Sequence, residues 1–161
     1  MFKLDNRREF LDCIKEIIDV PEINLMKNIP QHLTINCYEH SVFVAYVSFL
    51  LSRKFNCDYA AAARGGLLHD FFLYNWRDGE HKGVHGFAHP AIALANAEKL
   101  WELSDIEKDI ISKHMWPLTP KMPKFKEAFI VNAADKICAT AEILFIYRAM
   151  HVKKKLILAL A

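Results

Sequence analysis

Gly65-Gly66-Leu67-Leu68-His69-Asp70 closes an Ala-rich apolar run that begins at Tyr59. An unpaired carboxylate is costly to bury, so packing gives no reason for a His-Asp pair at the end of such a run. A divalent cation does, because imidazole and carboxylate are both good ligands and the ion offsets the carboxylate's charge. Asp58 is a suitable N-cap, so the run predicts a helix from Tyr59 to about Phe72 with the pair at its end. His69-Asp70 is therefore read as the centre of a metal site, and the rest of that site is sought along the chain.

On the N-terminal side, Leu4, Phe10, Leu11, Ile14, Ile17 and Ile18 recur at spacings of three and four among charges. That predicts an amphipathic helix over 4–20, stopped near Pro21. Residues 22–35 predict a short helical turn and a connector, with His32 solvated in it. A further helix is expected from Asn36 or Cys37 to about Phe55, with His40 one turn in.

On the C-terminal side, Phe71, Phe72, Tyr74 and Trp76 form an aromatic cluster suited to walling a pocket. Residues 75–88 predict a long loop, and such loops in compact domains are usually functional or disordered. Here the functional reading is favoured, since the loop carries Arg77, His81, Lys82 and His85. His81, His85 and His89 are spaced by four, as a metal-binding stripe on a helix would be. Gly83, Gly86 and Pro90 argue against helix there, and Pro90 fits the first position of a helix over 91–101. His89 then stands at a helix mouth.

Ser104-Asp105-Ile106-Glu107 is a capping box that opens a helix to about Lys113, with His114 at its end. Pro117, Pro120 and Pro123 mark a connector. A last long helix is expected over about 124–150, apolar on several faces and interrupted by Asp135. The tail, 151–161, is basic and then apolar, and is expected to pack on the domain or on a second copy, which leaves room for a homo-oligomer.

Composition bounds the possibilities. With 161 residues, one domain is expected, and 53% hydrophobic residues suffice for a sizeable core. A formal charge of +2 gives no nucleic-acid footprint. Five glycines and six prolines argue against a turn-rich all-β domain. All the glycines fall between Gly65 and Gly86, where ligand-type side chains also concentrate. The four cysteines are scattered, and Met1-Phe2-Lys3-Leu4-Asp5 shows no secretory h-region, so a reducing cytoplasm is expected. The apolar stretch Val42 to Leu51 is too short for a bilayer, which takes about 20 residues.

The expected fold is thus an all-α, single-domain bundle of about six main helices, with a core over about 36–140. His40, His69, Asp70, His89, His114 and Asp135 all belong to different helices or helix ends, apart from the adjacent pair. A bundle can bring such positions together in its interior.

In that order the six residues resemble the HD superfamily of metal-dependent phosphohydrolases, in its binuclear His…His-Asp…His…His…Asp form. The contexts Ala63-Arg64-Gly65-Gly66-Leu67-Leu68 before the pair, His89-Pro90-Ala91-Ile92-Ala93 and Ala133-Ala134-Asp135-Lys136 agree with it. The resemblance implies that His40, His69, Asp70 and Asp135 hold one ion, and that Asp70 bridges to a second held by His89 and His114. It implies cleavage of a phosphate ester or anhydride of a small metabolite or nucleotide by a hydroxide bridging the ions. Mixed nitrogen and oxygen ligation suits two divalent transition ions, Fe or Mn first, with Co, Ni, Zn or Mg as alternatives. His85 is expected as a general acid or supporting group, and Arg77, Lys82 and Lys136 as phosphate contacts. Arg64 is a further cation within reach. The Gly-Tyr-Pro signature of cyclic-dinucleotide phosphodiesterases in the superfamily is missing from the sequence. Two rival readings stay open: a di-iron oxygenase on the same scaffold, and a non-catalytic nucleotide-sensing or partner-binding module.

Overall fold

The computed structural model describes residues 4–78, 84–158 and 160. The architecture is all-α. In chain order it comprises α1 (Leu4–Ile18), α2 (Pro21–Leu25), a 3-10 turn (Met26–Asn28), β1 (Pro30–His32), β2 (Ile35–Asn36), α3 (Cys37–Lys54), α4 (Tyr59–Leu68), α5 (His85–Glu98), α6 (Asp105–Lys113), α7 (Lys126–Ile143) and α8 (Tyr147–Ile157). None of the described helices is long and apolar enough to cross a membrane.

α3 and α4 form the central pair, and each contributes to two apolar clusters. α1 seats Phe10, Ile14 and Ile17 against Tyr46 and Phe49 of α3, with Phe10 edge-on to both rings at 5.1 and 5.7 Å. On the other side Phe43 and Val44 of α3 and Ala62 of α4 meet Ile110 of α6 and Val131 and Ala134 of α7. The α4 glycines make this possible. A Cβ on Gly65 would lie 2.8 Å from Ile110 Cδ1, and one on Gly66 only 3.0 Å from Ala45 Cα. Glycine in a helix costs about 1 kcal/mol in propensity. Here it lets α3 and α6 approach α4 closely, and so draws His40, His69 and His114 together.

The caps follow the sequence. Asn36 accepts from Glu39 N, Asp58 from Ala61 N, and Ser104 with Glu107 forms the capping box. Three expectations are corrected. First, the helix expected over 91–101 begins earlier, at His85, and Pro90 lies inside it. Pro90 is the sixth residue of that helix, past the first N–H groups that lack intrahelical partners, so it costs the helix one bond, the one to Gly86 O. Phe87 N and Ala88 N turn onto Val84 O and start the helix. Second, the long helix expected over 124–150 breaks after Ile143. Phe145 takes a left-handed conformation (φ 48) and α8 folds back on α3 and α7. No Gly or Pro announces that break. Third, the connector before α3 is a short antiparallel hairpin, turned at Leu33 (φ 48) and tied to α3 by Cys37 N donating to Ile29 O at 2.8 Å.

Candidate metal centre

Four helices and the segment after α4 converge on one interior point. His40 sits in the first turns of α3, His69 caps α4 and Asp70 follows it. His89 lies in the early part of α5, His114 caps α6, and Asp135 is mid-α7. His40 and His69 are fully buried, and Asp70, His89 and His114 nearly so.

The helix ends orient the rings. His69 Nδ1 lies 2.8 Å from Gly66 O, and His114 Nδ1 lies 2.9 Å from Ile111 O. Each partner is a last-turn carbonyl that lacks an intrahelical N–H, and a carbonyl only accepts. The proton is therefore on Nδ1 in both rings, and Nε2 is left as the donor atom facing inward. An outer partner that fixes the tautomer in this way is how metal-ligating histidines are held.

The inward atoms fall into two groups. His40 Nε2 is 3.0 Å from Asp135 Oδ1, and His69 Nε2 is 3.8 Å from the same oxygen. Asp70 Oδ2 lies 3.3 Å from His69 Nε2, while its Oδ1 lies 3.2 Å from His89 Nε2 and 3.4 Å from His114 Nε2. One carboxylate thus faces two imidazole groups, one with each oxygen. Gln31 Nε2 of β1 also donates to Asp70 Oδ2 at 2.7 Å.

A divalent ion fits these donors. His69 Nε2 is buried and makes no hydrogen bond, although two carboxylates stand near it. Buried polar atoms without a partner are rare and call for an explanation. His89 Nε2 and His114 Nε2 approach to 2.7 Å, which two lone pairs do not tolerate without a proton or cation between them. The electrostatics agree. Burial opposes charge on His40 and His69, yet the carboxylates overcome it: Asp135 and Glu142 push His40 up to about 9, and Asp70 with Asp135 raises His69 well above the usual imidazole range. Against the same burial, His69 and its neighbours hold Asp70 well below the carboxylate range, and His40 and His69 lower Asp135. The site therefore stabilises positive charge. His114 is shifted the other way, chiefly by burial, and keeps its lone pair.

A cavity of about 370 Å³ opens onto these atoms. Its wall includes Trp76, whose indole N–H donates to Pro30 O at 2.8 Å, and the apolar Met115, Pro117 and Leu118. Lys136 stands at the mouth, its ammonium donating to Asn132 Oδ1 at 2.8 Å and to Trp116 O at 3.3 Å. Arg77 is exposed and stacks on Trp76, 5.2 Å from the ring centroid. Tyr74 packs on Phe72 in the core cluster. His81, Lys82 and the side chain of His85 lie outside the described residues.

Two readings of single residues are corrected. His32 is half-buried rather than solvated, its ring edge-on to His40 at 5.1 Å, and it lines the cavity. Arg64 does not reach the site, because Glu107 holds it at 2.5 Å. Glu142, which accepts from His40 Nδ1 at 2.8 Å, is a neighbour that sequence reasoning missed. Its signal was available: Glu142 is seven residues after Asp135, two turns on and on the same helix face. Gln31 and His32 had none, since a short hairpin delivers them.

Among curated proteins the chain is similar to ribonuclease Y of Desulforudis audaxviator (strain MP104C), 33% identical over 104 residues. That match covers 65% of this chain and 18% of the relative, so the chain spans under a fifth of that protein's length. No solved structure matches it significantly. The family model described as HD domain matches residues 37–140, from the first residue of α3 to within α7, a stretch that contains all six converging residues. The chain belongs to the HD-domain family, a family of metal-dependent phosphohydrolases.

Proposed function

We propose that the cavity is the active site of a phosphohydrolase that cleaves a phosphate ester or anhydride of a small metabolite or nucleotide. In this reading His40, His69, Asp70 and Asp135 hold one divalent ion, and Asp70, His89 and His114 hold a second. Fe or Mn suits the mixed donors best. When bound, the ions supply Lewis acidity toward a phosphoryl oxygen and activate water at neutral pH. The observation that carries the reading is Asp70, whose two oxygens each face a separate imidazole group.

The chain's own groups do the rest. Lys136 offers its ammonium to a phosphate at the cavity mouth. Trp76, Met115, Pro117 and Leu118 supply an apolar wall for the remainder of the substrate and exclude water from that side. His85 stands one turn before His89 on α5. We assign it proton donation to the leaving oxygen, a task that an imidazole suits near neutrality. We assign Arg77 and Lys82 as further phosphate contacts.

A cavity of about 370 Å³ is at the small end of ligand sites, which favours a compact substrate. The test is a panel of sugar phosphates, nucleoside mono- and triphosphates, cyclic nucleotides and a short oligoribonucleotide, assayed with Mn²⁺. The oligoribonucleotide is included because the similar protein is a ribonuclease. Turnover of a small phosphoester, abolished in Asp70→Asn, is expected. Turnover of the oligoribonucleotide alone would overturn the small-substrate reading, and no hydrolysis of any member would overturn the phosphohydrolase reading.

A further inference from the structure

Glu142 is completely buried on α7. Its Oε2 lies 2.8 Å from His40 Nδ1, and its Oε1 makes no hydrogen bond. Lys153 of α8, itself buried, brings its ammonium to 3.6 Å from that Oε1 and 3.7 Å from Glu39 Oε2. A buried ion pair is weak evidence for stability, and apolar residues of the same volume often serve as well or better. The pair therefore calls for another reason.

That reason lies in how the rings are held. His69 and His114 each give their Nδ1 proton to a carbonyl of their own helix. The Nδ1 of His40 meets a carboxylate supplied by another helix. A carboxylate partner fixes the tautomer and also makes the imidazole a stronger donor through its other nitrogen. Glu142 and Lys153 both lie beyond residues 37–140, outside the span matched by the family model. His32, His40 and Glu142 are also close enough together to hold a cation. The ammonium of Lys153 already supplies positive charge there, and His40 Nδ1 is engaged with Glu142.

We propose that Glu142, charge-balanced by Lys153, is a positioning residue for His40. It holds the proton on Nδ1, turns Nε2 toward Asp135, and strengthens that nitrogen as a donor to the first ion. α8 is thereby coupled to the centre. The inference rests on the metal reading above.

The test is calorimetric titration of Mn²⁺ into chelator-stripped protein, with the binding step of the first ion assigned as the one lost in His40→Ala. Glu142→Leu is expected to weaken that step about 10- to 100-fold. Glu142→Gln, which keeps an acceptor without the charge, should fall between. Lys153→Met should weaken the step, Lys153→Arg should restore it, and the second step should not move. The Co²⁺ absorption spectrum should change in the Glu142 variants, reporting an altered ligand field. Circular dichroism of the stripped proteins verifies folding, and the Lys153 pair decides the matter if the Glu142 variants do not fold. An unchanged first step in folded variants, or equal weakening of both steps, would refute the positioning role while leaving the metal reading intact. Wild type that binds no Mn²⁺ would refute both.

Discussion

Gly66→Ala tests whether the centre depends on the close approach of α3 and α4. In isolation the change favours the folded state, since alanine is better than glycine in a helix interior by about 1 kcal/mol. Against that, the new methyl would lie 3.0 Å from Ala45 Cα, 3.3 Å from Ala45 N and 3.4 Å from Ser48 Oγ. Two of these are backbone atoms of a helix buried along most of its length, so no rotamer change relieves them. Overpacking of this kind costs about 1–3 kcal/mol. The clash should therefore win, with a net loss of about 1 kcal/mol, or a fall in Tm of about 2–4 °C for a chain of this size. The change also acts on the centre, because Gly66 O holds the ring of His69 and α3 carries His40. Thermal melts of metal-free protein, followed by Mn²⁺ titration, measure both effects. A rise in Tm with unchanged metal affinity would refute the close-approach argument, because propensity alone would then govern the position.

Three further outcomes are expected. Asp109 accepts from Lys124 N and Phe125 N at 2.7 and 3.0 Å and from Lys113 Nζ at 2.6 Å. Although burial opposes it, these donors hold its carboxyl below the usual range. A depressed carboxylate contributes stability above its unfolded value of about 3.9 and loses it as pH falls toward the folded value. Asp109→Asn should thus cost about 2 kcal/mol near neutrality, and melts from pH 6 down to 3 should show the gap to wild type closing. Asn132 donates to His114 O and Trp116 O at 2.5 and 2.7 Å. Asn132→Ala should lower stability by about 1–3 kcal/mol through the orphaned carbonyl of His114 and weaken the second metal step in calorimetry. Trp76→Ala should raise KM for the best phosphoester several-fold with little change in kcat, as steady-state kinetics would show, since the indole lines the cavity and is none of the six converging residues.

How much of this was legible in the sequence follows the range of the interactions. The six converging residues could be read because each sits at a helix end or breaks an apolar face, and such breaks are local signals. Ser104–Glu107 and Asp58 announced their helices through caps of three or four residues. Pro90 misled, because a proline inside a helix forfeits a single backbone bond, and α5, started at Val84, carries that loss. The break at Phe145 was hidden, since α7 closes by Phe145 N donating to Glu142 O and Ile146 N to Ala141 O around a left-handed residue, a place that glycine usually marks and phenylalanine does not. His32 and Gln31 reach the centre only because a short hairpin folds over it, a contact that sequence spacing cannot carry. Lys153 was read as part of a basic tail, and only the return of α8 shows that it is buried against Glu142.

In the proposed centre Asp70 is shared by two ions. Metal analysis of protein purified without chelator, set beside its Asp70→Ala and His114→Ala variants, tests it most directly. Two equivalents per wild-type chain are expected, one in His114→Ala and almost none in Asp70→Ala. A single equivalent in wild type, undiminished in His114→Ala, would contradict it.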